Sequence, residues 1–285
     1  MLKKTKIRYE ASFKAVFSIL TVFVFFGCQK VINVDLNEAA PRIVIEGIIT
    51  DGPGPYAVTI SKSGSYFNQP VLPTVSGAEV IITDDAGTID SLKETRPGIY
   101  LTSTIHGIPG RTYTLKVISE NAEYVSSSTM LSHVNIDSLS LRKSQSQHFD
   151  IGGKTQNEVH VEIHCFFNDP LEKNFYRIKV FINDSTQAEN YRLFDDQYTN
   201  GMETELRVAH AEAKHNYMIE LLSLNKQTFG YYRTLEDLLY SNPVFGSTPA
   251  NPDVIFTNGA LGYFGACAVS ARSIAITSSM LNNAR

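Results

Sequence analysis

Tryptophan is missing from this chain of 285 residues, and only three cysteines occur, Cys28, Cys165 and Cys267. Without indole the usual platform for stacking a sugar ring is absent. Cysteines this far apart form no C-x-x-C, which excludes the common zinc and dithiol redox motifs. The sequence also lacks G-x-S-x-G, H-E-x-x-H and the phosphate-cradling G-x-x-x-x-G-K, so no motif marks a serine hydrolase, a zinc protease or a nucleotide enzyme. Paired carboxylates for glycoside hydrolysis are defined by separation in space and are neither shown nor excluded. No catalytic residue is assigned, and no metal or cofactor is expected.

Long hydrophobic runs are equally scarce. An uncharged, apolar-rich stretch near the start, residues 15–26, has twelve residues, whereas a membrane-spanning helix needs about 20. It follows Lys3, Lys4, Lys6, Arg8 and Lys14 and ends at Gly27-Cys28. A basic region, a short apolar region and a small residue make a secretory signal. Cysteine directly after the small residue is the bacterial lipoprotein pattern, with Phe25 where Leu is usual. Residues 1–27 are thus expected to be removed and Cys28 acylated, which anchors the chain to a lipid bilayer. Several acyl chains hold durably because each buried CH₂ adds about 0.8 kcal/mol. Setting aside the leader's five basic residues and one acid turns the formal charge of −4 into −8. That balance, with no basic run, excludes nucleic acid as a natural partner.

What remains reads as β structure. Short apolar runs near residues 43–49, 56–61, 80–83, 98–101, 113–118 and 124–125 are separated by Gly, Pro, Asn and Asp. Asp84-Asp85-Ala86-Gly87 is a turn with a mechanism, since Asp accepts local amides and Gly tolerates positive φ. Strands and turns at this spacing predict an Ig-like or transthyretin-like β-sandwich over residues 38–130, after a tether at 28–37. A second, β-rich domain is expected over 131–285. Its strands are expected near 159–167, 175–182, 205–209, 217–224, 261–269 and 274–277, with a Ser/Gln-rich loop at 143–156. Its one short helix is expected near 229–240, with Thr234 and Asp237 as a capping box and Asn242-Pro243 as its stop. Alternation in 159–167 puts Val161, Ile163, Cys165 and Phe167 on a core face. Cys165 and Cys267 are a candidate disulfide, with two buried free thiols as the alternative.

His160, Glu162 and His164 share the other face of that strand and read as a solvated polar surface rather than a metal site. His210, Glu212 and His215, and Asp195-Asp196, read as surface groups in the same way. Loop aromatics are the remaining candidates for contact. A partner surface is expected around the helix and the Gly-rich block 259–266, through Tyr231, Tyr232, Tyr263 and Phe264.

Several pieces in order carry a resemblance. They are Val34-Asp35-Leu36 after the cysteine, Ile43-Val44-Ile45-Glu46-Gly47, Ser76-Gly77-Ala78-Glu79-Val80, Gly98-Ile99-Tyr100 and Gly110-Arg111-Thr112-Tyr113-Thr114-Leu115. Asn258-Gly259 and Leu261-Gly262-Tyr263-Phe264-Gly265-Ala266 complete the set. Together they resemble the Bacteroidetes outer-membrane lipoproteins grouped as domain of unknown function 4249. The resemblance implies a lipid-anchored outer-membrane accessory or binding protein associated with TonB-dependent nutrient uptake. A TonB-dependent receptor or its ligand would be the partner, and no catalysis is implied. An envelope hydrolase using Asp/Glu or His clusters, or a structural or adhesive surface module, are the alternatives. Gln29-Lys30-Val31-Ile32 carries no acid, which favours the periplasmic face over the cell surface.

Overall fold

The computed structural model describes residues 40–64, 72–149, 155–183, 185–186, 192–240 and 252–284. The leader, Cys28 and the tether lie outside the described residues. Sixteen strands carry the described fold. The first eight are β1 (Ile43–Thr50), β2 (Ala57–Lys62), β3 (Glu79–Asp84), β4 (Ile89–Ser91), β5 (Lys93–Arg96), β6 (Ile99–Leu101), β7 (Thr112–Ser119) and β8 (Ala122–Thr129). Then follow β9 (Ser138–Phe149), β10 (Thr155–Asn168), β11 (Phe175–Ile182), β12 (Ser185–Thr186), β13 (Arg192–Asp195), β14 (Glu203–His210), β15 (Asn216–Leu224) and β16 (Leu261–Ala275). Helix α1 spans Lys226–Tyr240, and a short α2 spans Ser278–Asn283. The expectation of a mainly β chain holds.

These strands form three sheets. The main one has nine strands in the order β12-β11-β15-β16-β1-β2-β6-β5, with β13 also paired to β11. A four-stranded sheet runs β4-β3-β7-β8 and a three-stranded one β14-β10-β9. Strand β16 joins the early and late stretches, pairing parallel to β1 from Val44↔Leu261 to Thr50↔Cys267 and antiparallel to β15. Side chains alternate along a strand, so β16 reports how the layers stack. Its Phe264, Ala266 and Ala268 enter the core shared with β1, β3 and β7. Ile274, of the same parity, packs into the core shared with β10, β11 and β15. Both small sheets therefore lie on one face of the main sheet. Cys267, of the opposite parity, meets Phe229, Tyr231 and Tyr232 of α1 on the other face. The expected strands 261–269 and 274–277 are one continuous strand, buried on both sides in its middle.

The parallel pairing requires a glycine. Gly262 has φ +99°, and a Cβ there would stand 2.0 Å from the Ile45 carbonyl oxygen. No side chain fits that approach.

Polar side chains lock the four-stranded layer. Asp84 Oδ1 accepts the amides of Ala86 and Thr88 at 3.1 and 2.8 Å, as the turn reading requires, and its Oδ2 meets Arg111 at 2.5 Å. Asp90, only 2 % exposed, accepts the Ser103, Thr104 and Ile105 amides at 2.7–2.9 Å and the Ser103 hydroxyl at 2.8 Å. Burial pulls its pKa up, but these donors outweigh burial and lower it to about 2. Tyr113 Oη accepts the Ile108 amide and donates to the His106 carbonyl. Tyr100 Oη accepts the Ala78 amide.

Two sequence expectations need correction. The Ser/Gln-rich segment expected as a loop is strand for most of its length. Residues Ser138–Phe149 and Thr155–Asn168 pair antiparallel from Phe166↔Ser138 to Thr155↔Phe149. Ser, Gln and Thr tolerate strand geometry, and backbone pairing does not need an apolar face. Helix α1 also starts earlier than expected. Asn225 Oδ1 accepts the Thr228 amide at 2.8 Å and is the N-cap, whereas Thr234 lies inside the helix and donates to the Gly230 carbonyl. A helix this short is marginal alone; burial of Phe229, Tyr231 and Tyr232 on the sheet stabilises it.

Candidate binding cleft

Between the main sheet and the three-stranded sheet, layer packing is incomplete at one end. Strands β11 and β15 face β14 there across an open cleft of about 590 Å³. Ile178, Val180 and Ile182 of β11 and Tyr217 of β15 form one wall, and Val208 and Ala209 of β14 form the other. The local cause is a bulge. Ile163 pairs with Ala209 and His164 with Arg207, which leaves Val208 as an extra residue on β14. Val208 and Ala209 consequently both turn to the core side, and such bulges bend a strand and re-aim its side chains.

Arg192 stands at the cleft. It pairs with Ile178 across β13 and β11, so its side chain leaves the sheet on the cleft face. One guanidinium nitrogen donates to the Arg207 carbonyl on β14 at 3.0 Å, bridging the two sheets. Burial first, and the neighbouring Arg207 charge second, weaken its hold on its proton. Among the described residues no carboxylate pairs with it. Arg207 by contrast is neutralised by Glu162 at 2.8 Å. Glu212 and His215 complete the mouth, 3.4 Å apart. The arrangement can hold a ligand that has both apolar surface and charge. Sequence reasoning passed over Arg192, and no motif surrounds it.

The His-x-Glu-x-His strand lies on the outer face of the same sheet, and its core face is as expected, with Ile163, Cys165 and Phe167 fully buried. The polar face is not the solvated surface expected. Glu162 is only 7 % exposed and meets Arg207 and His164, while His164 Nδ1 lies 2.7 Å from Glu205, itself 2.8 Å from Arg142. Burial raises the Glu162 pKa, but Arg207 outweighs it and the net shift is downward. Pairing across β10 and β14 brings the two histidine groups together, with His160 and His210 rings 5.5 Å apart. Among the described residues no three His, Cys, Asp or Glu side chains are placed to hold a metal ion. Asp196 is buried, not at the surface, and accepts the Asn174 amide at 2.6 Å. Asp169 beside it accepts the Tyr176 hydroxyl at 2.5 Å. Those carboxylates organise a loop end.

The aromatic residues expected to contact partners are mostly internal. Tyr231, Tyr232 and Phe264 are 8, 2 and 1 % exposed, so their area is already committed to packing. Tyr263 is half-buried, with its ring 5.2 Å from Tyr231 and 5.0 Å from Tyr232. The Arg177 guanidinium lies 4.3 Å from the Tyr232 ring centroid, a desolvated cation–π contact. Cys165 and Cys267 are buried free thiols in different core clusters, the alternative to the candidate disulfide. Burial pushes each pKa up to about 12, so neither is a reactive thiolate.

Three sheets and a cleft between two of them define a β-rich, layered protein. A family model described as a domain of unknown function, DUF4249, matches residues 29–273. The chain belongs to that family. No curated protein matches it. The motifs that carried the resemblance prove structural, since Gly98, Tyr100, Arg111, Tyr113 and Gly262 fix turns, corners and strand approach.

Proposed function

We propose that the protein is a lipid-anchored accessory protein of the outer membrane, held through Cys28 and facing the periplasm. It serves TonB-dependent uptake by binding a receptor or the ligand that the receptor imports, and performs no reaction itself. The cleft beside Arg192 is the observation that supports this most. Its volume of about 590 Å³ falls in the usual range for ligand sites, about 300–1,000 Å³, and its walls combine apolar side chains with charged ones. The leader ending in Gly27-Cys28 supports the anchor. Among the described residues no helix is long and apolar enough to cross a membrane, so acylation is the attachment that this reading requires.

Two measurements test it. Cys28→Ser should move the protein from the membrane to the soluble envelope fraction; retention on the membrane would refute the anchor. Photo-crosslinking in intact cells, from a probe placed at the exposed Glu212, should capture a TonB-dependent receptor. Crosslinks to other envelope proteins alone would refute the association. The hydrolase alternative draws on the Glu212–His215 pair, and turnover of a chromogenic ester lost on Glu212→Gln would favour it.

A further inference from the structure

We propose that the cleft takes a small ligand with an apolar body and one carboxylate, the carboxylate being held by Arg192. The inference rests on reading the protein as a binder and adds the ligand's chemical class.

A guanidinium carries five N–H donors, and a half-buried one needs a counter-charge or water to offset its desolvation. Among the described residues Arg192 has one hydrogen bond, to a neutral carbonyl, and no carboxylate. The nearby guanidinium of Arg207 already has Glu162. Arg192 thus holds a positive charge that no described carboxylate answers, beside the apolar Ile178, Val180, Ile182 and Val208 in a cleft that Lys179, His210 and Glu212 also line. Hydrocarbon against Ile178, Val180, Ile182 and Val208 gains from leaving water, at about 25 cal/mol per Å². A carboxylate on Arg192 gains a charge-assisted contact, with the planar guanidinium able to bind both its oxygens. A purely apolar ligand would leave the guanidinium unanswered, and a small inorganic anion would leave the walls wet. Only a molecule with both parts satisfies both. Glu212, largely exposed and beside His215, sets the opposite sign at the mouth and disfavours a second negative charge there.

Equilibrium dialysis of the intact chain, with the same nonionic detergent in both chambers, tests this with three probes. The probes are 4-phenylbutyrate, the matched alcohol 4-phenylbutanol, and inorganic phosphate. The carboxylate should bind best, and Arg192→Gln should weaken it about tenfold, the loss expected for one charge-assisted hydrogen bond. Binding of the alcohol should be weak and unchanged by that substitution. Val180→Phe, which narrows the cleft without touching charge, should weaken carboxylate and alcohol together; circular dichroism checks that both variants fold. Equal binding of acid and alcohol, unaffected by Arg192→Gln, would overturn the carboxylate assignment while leaving a cleft that binds. Phosphate binding as tightly as the acid would overturn the apolar half. No binding of any probe at millimolar concentration would overturn the inference altogether. Receptor crosslinking does not depend on these outcomes, so the two readings fail separately.

Discussion

Under the four-stranded sheet, Asp84 and Asp90 fill their oxygens with backbone amides, Ser103 and Arg111, and Tyr113 uses both sides of its hydroxyl. Under the three-stranded sheet, on the same face of the same main sheet, Val208 is bulged, Arg192 meets no carboxylate among the described residues and an open cleft remains. The first region turns these polar groups on its own backbone and side chains. The second leaves a volume open beside a charge that no described carboxylate answers. Ligand sites arise where layers are imperfectly closed, and the two halves of this molecule show that contrast within one sheet.

The sharpest way to break the comparison is at the seam that both halves share. Gly262→Ala would drive a methyl group into the Ile45 carbonyl, and we expect a loss of about 3 kcal/mol or more, near the top of the range for single substitutions. A shift in the urea midpoint that abolishes both halves together would show them to be one cooperative unit. Asp90→Asn tests the closed half alone. Its folded carboxyl titrates near 2, against an ordinary 3.8, so the charged form is the one that folding favours. Its contribution is full above about pH 5 and lost as pH falls through 4 towards 2. The variant should lose about 2 kcal/mol at pH 7, with the gap to wild type closing by pH 2. A gap independent of pH would sink the charge argument.

Smaller effects are expected on the open half. Arg177→Met removes the cation over Tyr232 while keeping much of the side-chain volume, and should cost about 1–2 kcal/mol, the desolvated end of the cation–π range. Thermal melting reads it, and no change would mean that stacking alone holds α1. Glu162→Gln breaks the ion-paired strip. Because Arg207 is largely exposed, we expect only a few tenths of a kcal/mol, shrinking with added salt. A large, salt-insensitive loss would make that strip a structural core element.

Local chemistry was legible in the sequence and long-range pairing was not. The Asp84 turn, the buried side of β10 and the existence of α1 follow from turn residues and alternation over a few positions. The start of α1 lies earlier than expected because Asn225 caps it directly after the apolar strand β15, whereas Thr234 and Asp237 mimic a capping box further on. The meeting of His160 with His210 depends on the register of β10 against β14, and no residue encodes it locally. Arg192 was invisible for the same reason: its meaning comes from Ile178 beside it and Arg207 opposite. Asp90 likewise acts on amides more than ten residues away. The contact aromatics misled because burial, not composition, decides whether a ring is available.

Strand β16 carries a consequence for how the chain must mature. Val44 waits for Leu261, more than two hundred residues later, before the middle of the main sheet can close. Until then β1 has β2 on one side and an open edge on the other, and open edges invite pairing with other chains. Contacts this distant in sequence make folding slow and leave intermediates prone to aggregation. A chain secreted and anchored at its amino end would therefore spend its vulnerable interval tethered to a membrane, spaced from its neighbours. Truncation ahead of residue 261 would leave that interval without an end.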